Sequence, residues 1–198
     1  MNPQPSAPAD HGRLWLVLAF AIFPLLALIE WTMGRSPLGP DGAFGWWTSN
    51  IWGPECSQRV ADAYAFSHII HGMAFYGLLW LFARRLPLSA RYLIAVIIEA
   101  GWELLENSPL IINRYREATM ALGYSGDSIL NSASDLLMMS LGFLLAWRLP
   151  VWATVTAVLV MEIGCALWIR DNLTLNIIML LHPVEAIKAW QSAGAPVP

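Results

Sequence analysis

The sequence predicts an all-α protein, a polytopic bundle of five to six transmembrane helices, and three observations support this prediction. The chain of 198 residues is 57% hydrophobic and only 13% charged, against about 25% charged residues in a typical soluble domain. Its mean hydropathy is +0.53, and it contains 11 tryptophans. Apolar stretches of about 20 residues, the length that crosses a bilayer, recur along it. A soluble protein of this length could not bury so much apolar surface in one core.

The first segments are a tail and a spanning helix. Residues 1–12 are rich in Pro and Ala, and we expect them to form a disordered N-terminal tail. The apolar residues 14–33 predict the first span, in which Pro24 introduces a kink. This stretch is too long for the apolar region of a signal peptide, and no A-x-A-like cleavage site follows it closely. We therefore interpret it as an uncleaved span.

The middle segments are a loop and two spans. The loop over 34–62 contains "FGWWTSNIW", whose three tryptophans suit a membrane interface. A second span is predicted at 63–83, before two arginines and Pro87, and an unusually polar third span at 92–112. A short loop over 113–126 completes this part of the chain.

The last segments are two spans and a segment with two interpretations. Spans are predicted at 127–147 and 151–169. The stretch 173–190 is apolar only in its first half, so it is either a re-entrant or interfacial segment or a sixth span. We expect a single membrane domain over 13–191, and residues 192–198 as a C-terminal tail.

The basic residues give the orientation. Short cytoplasmic loops carry an excess of Lys and Arg. The joints after the second and fourth spans, together with the N-terminal tail, share one side, which we assign to the cytoplasm. The bias is small, because the opposite side also carries arginines. The cytoplasmic set is Arg13, Arg84, Arg85, Arg91 and Arg148, and the opposite set is Arg35, Arg59, Arg114, Arg116 and Arg170.

Polar residues in three spans are predicted to converge. Alternating spans run in opposite directions, so the start of the second, the end of the third and the start of the fourth meet one membrane surface. At 100° per residue, each span carries its polar residues on one face. We therefore expect a shared polar pocket that opens outward. The residues in question are His68 and His71, then Glu99, Glu103 and Glu106, then Asp127, Asn131 and Asp135.

The energy of burial favours this arrangement. A charged side chain at the centre of a membrane helix costs roughly 2.5–3.5 kcal/mol. The carboxylates must therefore be paired, protonated, hydrated or bound to a cation, and some of them are expected to have raised pKa values. The available counter-charges are His68, His71, Arg114 and Arg116. Pro109 is expected to bend the chain, which would bring Arg114 and Arg116 over the mouth of the pocket.

Roles can be assigned within this pocket. A carboxylate such as Glu103 or Asp135 could serve as a general base with a histidine as the acid partner. The i, i+3 spacing of the histidines also suits a divalent metal ion, for which the candidates are His68, His71, Glu103 and Asp135. The candidate catalytic residues are His68, His71, Glu103, Glu106 and Asp135, and the candidate binding residues are Glu99, Asn107, Arg114, Arg116, Asp127 and Asn131.

Structural roles remain alternatives for several of these residues. The two histidines could be a hydrogen-bonded pair that fixes helix packing. Asp127 in "SGDSIL" stands where a helix N-cap is expected. The two arginines could be interfacial anchors. Glu30 and Glu162 are expected to be hydrogen-bond partners between helices.

Long strings in the chain resemble a known family. The runs "SHIIHG", "EAGWELLENSPLIINRYREAT", "YSGDSILNSASDLL" and "IRDNLTLNIIMLLHPVEAIKAWQ" resemble uncharacterised protein family 0314, also catalogued as domain of unknown function 2585. The resemblance covers residues 63–191, with a weaker match over the first span. It implies a multi-pass protein of the inner membrane of an alphaproteobacterium, and it implies no activity.

A shorter pattern resembles the VanZ-like group of small polytopic membrane proteins. In that group an acidic residue ends one helix and a D-x3-N or D-x3-N-x3-D stripe opens the next. This resemblance implies a role in the cell envelope or with a lipid-linked compound. The matching residues here are Glu103, Glu106, Arg116, Asp127, Asn131 and Asp135.

Three classes of function are left open. The pocket could bind or act on a lipid headgroup, an envelope compound or a metal ion. The alternatives are a proton- or cation-coupled transporter, which needs a polar path across the whole membrane, and a non-catalytic assembly factor whose stripes bind partner helices. With a net charge of −3 and no basic patch, nucleic acid is not an expected partner. Cys56 and Cys165 form no C-x-x-C motif, so neither zinc nor a disulfide is inferred.

Overall fold

The computed structural model describes residues 11–119 and 123–195. Within these residues it contains eight helices and no β-strand, which confirms the all-α prediction. The ends of the expected tails, 1–10 and 196–198, lie outside the described residues. The helices are α1 (Gly12–Thr32), α2 (Ala65–Phe82), α3 (Leu88–Glu106), α4 (Pro109–Ala118), α5 (Ile129–Arg148), α6 (Val151–Ile169), α7 (Leu173–Leu181) and α8 (Glu185–Ser192).

Four of these helices, α1, α2, α5 and α6, are long and apolar enough to cross a membrane. Helix α3 is of similar length, 19 residues, but it carries an arginine and three glutamates. Helices α7 and α8 have nine and eight residues. At 1.5 Å per residue, each is too short to cross about 30 Å of hydrocarbon by itself.

The third predicted span differs from the structure at both ends. Helix α3 begins at Leu88, because Pro87 occupies the N-cap position with a φ of −61° and initiates the helix instead of only ending the previous segment. It ends at Glu106. Pro109 then starts α4 at its first turn, so the bend expected there is a complete helix break, and part of the predicted loop is helical.

Helices α2 and α5 pack closely and run parallel. A Cβ atom on Gly72 would overlap the Met139 carbonyl, and one on Gly142 would overlap the Ile69 carbonyl. These glycines let the two backbones touch, as small residues do between membrane helices. One turn after Gly72, the ring of Tyr76 in α2 packs against the ring of Phe143 in α5, with centroids 5.3 Å apart. Residue numbers thus rise together along both helices.

Helix α3 lies antiparallel to α2 and α5. Near its start, the Tyr92 hydroxyl lies 2.8 Å from the Ser140 hydroxyl of α5. At its end, Asn107 donates to Glu30 near the end of α1, so α1 runs with α3. The bundle therefore has two distinct ends. We call the end with the short joints 83–87 and 149–150 the hairpin end, and the end with residues 33–64 the loop end.

The loop over residues 33–64 covers the start of α5. A helix leaves its first four N–H groups without partners inside the helix. Here the loop accepts three of them, and the Ser128 hydroxyl accepts the fourth as the N-cap. The donors and acceptors are Ser128 to Ser57, Ile129 to Ser36, Leu130 to Pro37 and Asn131 to the Ser128 hydroxyl, at 2.9–3.2 Å.

A buried arginine fixes the fold of this loop. The Arg59 guanidinium is 2.6 Å from an Asp41 oxygen and 2.7 Å from a Glu55 oxygen. Its hydrogen bond to Asp41 holds the pKa of that carboxyl below its usual value. The loop is thus tied to itself as well as to α5.

The hairpin-end half of the bundle has an apolar core. Ala95 and Val96 of α3 and Leu136 and Met139 of α5 are completely buried, and Phe143 is nearly so. These side chains fill the space between α1, α3 and α5. The carboxylates of α3 and α5 lie nearer the loop end.

Candidate functional site

Ionisable side chains gather at the loop end of the bundle. They belong to α2, α3 and α5 and to Asp127, which lies just before the N-cap of α5. They are almost inaccessible: Glu99 and Glu103 are 0% exposed, Asp135 is 4% and Asp127 is 6% exposed. The convergence of these residues follows from the antiparallel packing of α3 against the parallel pair. We call this set the acid–imidazole cluster, and its members are His68, His71, Glu99, Glu103, Glu106, Asp127 and Asp135.

Glu99 holds both imidazoles. Its carboxylate lies 2.7 Å from Nδ1 of His68 and 3.0 and 3.1 Å from Nδ1 of His71. A carboxylate accepts hydrogen bonds only, so the geometry assigns the protons to the Nδ1 atoms. In neutral His68 this leaves Nε2 as an unprotonated nitrogen, 3.8 Å from Oδ2 of Asp135.

Glu103 has no hydrogen-bond partner among the described residues. Both of its carboxylate oxygens are buried, and the closest basic atom is Nδ1 of His68 at 3.5 Å. Burying a carboxylate without partners is strongly unfavourable, and most buried polar atoms in proteins are paired. Glu103 therefore marks a position that needs a proton or a cation.

Three overlapping groups in the cluster have metal-ligand spacing. In each group, one potential ligand atom from every residue lies within 4.8 Å of the others. Of the four metal candidates taken from the sequence, three fall in one group and His71 falls in another. The groups are His68, His71 and Glu99; His68, Glu103 and Asp135; and Glu103, Glu106 and Asp127.

Asn107 joins three helices beside the cluster. Its amide nitrogen is 3.2 Å from Glu30, 3.3 Å from Asp127 and 3.1 Å from the Ser132 hydroxyl. Its carbonyl oxygen accepts the backbone N–H of Asp127 at 2.7 Å and faces Arg35 at 3.4 Å. The interpretation of Glu30 as a hydrogen-bond partner between helices is thus confirmed.

Asp127 faces the cluster and does not cap α5. The cap is Ser128, so the interpretation of Asp127 as the N-cap is wrong. The Tyr124 hydroxyl donates to Oδ1 of Asp127 at 2.9 Å. Burial raises the pKa of Asp127 to about 6, and the hydrogen bond from Tyr124 opposes that rise.

Asn131 holds the loop rather than pointing to the other carboxylates. Its side-chain amide donates to the Arg59 carbonyl at 3.0 Å, and its backbone N–H is capped by Ser128. This contact connects the charged loop to the first turn of α5.

Arg114 and Arg116 do not reach the cluster. Arg114 donates to the Leu180 carbonyl at 2.8 Å, and Arg116 donates to the Tyr124 carbonyl. Among the described residues, neither guanidinium forms an ion pair with a carboxylate. A surface groove of about 480 Å³ lies along α4, away from the cluster, and is lined by Leu110, Ile111, Asn113, Arg114 and Glu117.

Glu162 of α6 has a separate structural role. Its carboxylate accepts the backbone N–H groups of Leu173 and Thr174 at 3.1 and 3.2 Å. It therefore caps the start of α7, which confirms its interpretation as a hydrogen-bond partner between helices.

Two neighbours of the cluster were not identified from the sequence. Ser132 lies about 140° around the helix from Asp127 at 100° per residue, outside the polar stripe. Arg35 is 72 residues from Asn107 in the chain. The spacing of Ser132 gives no signal, and no local pattern connects Arg35 to the third predicted span.

The fold and the cluster together define a class: an all-helical protein with apolar helices compatible with a membrane, and ionisable residues enclosed between them. A family profile described as "Protein of unknown function (DUF2585)" matches residues 30–193. Because it covers most of the sequence, the chain belongs to this family.

Relatives from alphaproteobacteria agree with that assignment. The chain is 52% identical to a UPF0314 protein of Rhizobium johnstonii, over 91% of this chain and 93% of the relative. It is 52% identical to a UPF0314 protein of Sphingopyxis alaskensis, over 91% and 95%, and 48% identical to one of Paracoccus denitrificans, over 88% and 90%. No solved structure matches the chain.

Proposed function

We propose that this chain is a multi-pass protein of the bacterial inner membrane that binds a divalent cation in the acid–imidazole cluster and acts there on a polar group of an envelope compound. The unpartnered carboxylate of Glu103, buried beside an imidazole and a second carboxylate, is the observation that carries this proposal. The alphaproteobacterial sources of its relatives support the inner membrane as its location.

The packing supports five crossings. Helices α2 and α5 are both of membrane length and run parallel, so the chain between them must return across the bilayer. The 19-residue α3 is long enough to make that return, since α4 has only 10 residues. Its three glutamates face the cluster instead of lipid. The hairpin end carries Arg84, Arg85, Arg91 and Arg148 and would be cytoplasmic.

The cation would lie between His68, Glu103 and Asp135. One imidazole nitrogen and two carboxylates suit Mn²⁺, Fe²⁺ or Zn²⁺, which accept mixed nitrogen and oxygen ligands. Such a cation would supply the charge that Glu103 lacks in its surroundings. It would also bring together the two carboxylates that flank His68.

Glu99 supports the proposal because it lies outside the proposed ligand triad and orients the histidine of that triad. Metal-binding histidines usually donate their other ring N–H to a carboxylate, which fixes the tautomer and the ring orientation. His68 has this arrangement, because its Nδ1 meets Glu99 at 2.7 Å while its Nε2 faces Asp135. A histidine placed only for packing would not need its second nitrogen directed at an acid.

The chemistry of the site follows from these ligands. A bound divalent cation can polarise a phosphoryl or carbonyl oxygen and lower the pKa of a bound water. His71 is the imidazole outside the proposed triad and is held by Glu99, so it can act as the acid partner. The carboxylates of the cluster are almost inaccessible, so a headgroup would enter only when the loop end opens.

The transporter and assembly-factor alternatives have less support. A relay needs polar groups across the membrane, yet the hairpin-end half of the α3 and α5 interface is filled by completely buried apolar side chains such as Val96 and Met139. An assembly factor needs polar stripes that a partner can reach. Here the carboxylates of Glu99 and Glu103 are fully buried by the chain itself.

Metal analysis of the purified full-length protein tests the proposal. The chain is produced with a tag that contains no histidine, purified in detergent, exchanged against Mn²⁺ or Zn²⁺, and freed of unbound metal before elemental analysis. We expect the unmodified protein to retain bound metal. His68→Ala and Glu103→Gln should each lose it, because each removes one ligand of the triad.

Glu162→Gln is the matched control, since it neutralises a membrane-helix glutamate outside the cluster. It should retain metal like the unmodified chain. Size-exclusion profiles and melting midpoints confirm that the variants are folded. An unmodified protein that keeps no metal after exchange with either ion, or a His68→Ala variant that keeps the full amount, would overturn the proposal.

A further inference from the structure

The cluster contains more carboxylates than one cation can use. The proposed triad takes Glu103 and Asp135, and Glu99 is occupied by the two imidazoles. Glu106 and Asp127 remain, and together with Glu103 they form a second group with ligand atoms within 4.8 Å of one another. The two groups therefore share Glu103 and lie side by side, the second nearer the loop end.

Glu103 is suited to connect the two positions. Both of its oxygens are buried and have no hydrogen-bond partner among the described residues. A carboxylate with two free oxygens can direct one of them to each of two cations. In two-metal sites the ions lie about 3.5–4 Å apart, a separation that one carboxylate spans.

Asp127 keeps capacity for a cation. Its oxygens accept hydrogen bonds from the Tyr124 hydroxyl at 2.9 Å and the Asn107 amide at 3.3 Å. An ionised carboxylate has about four lone-pair sites, so further ligation is available. These two donors also fix the orientation of Asp127, as hydrogen bonds to metal-binding carboxylates do.

We propose that the cluster is a dinuclear centre in which Glu103 bridges two divalent cations, one held with His68 and Asp135 and the other with Glu106 and Asp127. The inference rests on the proposed function and adds a second metal position to it. The second position offers only oxygen ligands, so it takes a hard cation such as Mg²⁺ or Mn²⁺. Its nearness to the loop end makes it the ion that an incoming polar group meets first.

Charge balance agrees with two cations. Five carboxylates face two imidazoles in the cluster. With every carboxylate ionised and both imidazoles neutral, one divalent cation leaves three negative charges, whereas two leave one. Each uncompensated charge inside a membrane bundle is costly. The second cation therefore removes most of the remaining excess.

Mn²⁺ binding to the full-length chain in detergent tests the inference, because this ion suits both positions and is detected by electron paramagnetic resonance. We expect two Mn²⁺ per chain by elemental analysis and an exchange-coupled spectrum, whose hyperfine spacing is half that of a single ion. Asp127→Asn should retain one ion with an uncoupled spectrum. Asn can still accept the hydrogen bond from Tyr124, and Glu106→Gln provides an independent second variant. Glu162→Gln should retain two coupled ions.

The outcomes separate this inference from the proposed function. One Mn²⁺ in the unmodified chain, still present at full occupancy in Asp127→Asn and Glu106→Gln, would overturn the dinuclear centre and leave the single-cation proposal standing. Two ions with no magnetic coupling would also overturn the shared Glu103. Absence of any bound Mn²⁺ or Zn²⁺ would overturn both. Two coupled ions reduced to one by either variant would support the dinuclear centre.

Discussion

The two halves of the interface between α3 and α5 are equally buried but differ in chemistry. In the hairpin-end half, Val96 and Met139 are completely buried among apolar neighbours. In the loop-end half, Glu103 is just as buried, and neither of its carboxylate oxygens has a hydrogen-bond partner among the described residues. The first half stabilises the fold by packing. The second half lowers stability unless a ligand or protons neutralise it, which is typical of functional sites in membranes.

The largest loss of stability is expected where the backbones of α2 and α5 touch. Gly142→Leu would place a side chain into the Ile69 carbonyl of α2. The loss of stability should exceed the roughly 1–3 kcal/mol of ordinary overpacking, because the obstructing atom belongs to the backbone. Size-exclusion chromatography in detergent should show no folded monodisperse species. Gly77→Ala is the control, since nothing lies within 4 Å of a Cβ at that position. A folded Gly142→Leu protein would contradict the close contact between the two backbones.

A cavity in the hairpin-end half should lower the free energy of unfolding. Leu136 is completely buried, so Leu136→Ala is expected to cost about 2–5 kcal/mol. Leu137→Ala, on the exposed side of the same helix at 54% exposure, should cost much less. Unfolding midpoints in detergent measure both. Equal losses in the two variants would show that the hairpin-end half is not the main source of stability.

Asp171 is a buried acid that, unlike Glu103, has hydrogen-bond partners among the described residues. Asp171, between α6 and α7, accepts hydrogen bonds from Tyr64 and Gln191, and burial raises its pKa from 3.8 to about 6. The folded state then binds this proton more tightly than the unfolded state. The contribution of Asp171 to stability is complete below about pH 4 and falls as the pH rises through about 6. From these pKa values, the change is at most about 3 kcal/mol.

Asp171→Asn tests this expectation. Its stability relative to the unmodified protein should increase between pH 4 and pH 7, as measured by unfolding midpoints across that range. Asp41→Asn is the control, because the pKa of Asp41 lies below its usual value and its effect should be constant over the same range. A difference for Asp171→Asn that does not vary with pH would argue that this carboxyl is not perturbed.

The smallest expected effect is a gain in stability instead of a loss. In metal-free protein, Glu103→Gln should raise stability by about 1–3 kcal/mol, because it removes an unpaired buried carboxylate. After metal exchange the order should reverse, since only the unmodified protein gains the binding energy. Melting midpoints with and without a chelator measure the change of sign. A variant that is less stable in both conditions would show that Glu103 has a structural role in the metal-free state.

The sequence predicted the fold better than it predicted the details of the site. Long apolar stretches identify spanning helices because hydrocarbon allows few other structures. The predicted bounds of the third span differ from those of α3, since a proline can end one segment and begin the next, as Pro87 does at α3. The convergence of Glu103 with His68 follows from helix direction and periodicity alone. By contrast, Asn131 bonds to the Arg59 carbonyl, 72 residues away, and no local pattern predicts that partner.

The capping of α5 by the loop determines how the cluster can open. Moving the 33–64 segment away would remove the hydrogen-bond partners of three N–H groups in the first turn of α5, so we expect the segment and α5 to move together. On the opposite side of the cluster, residues 107–108 connect α3 to α4 and belong to neither helix. If the cluster binds an ion or a headgroup as proposed, we expect entry on the α4 side, where it would require breaking the hydrogen bonds that Asn107 donates to Glu30 and Asp127.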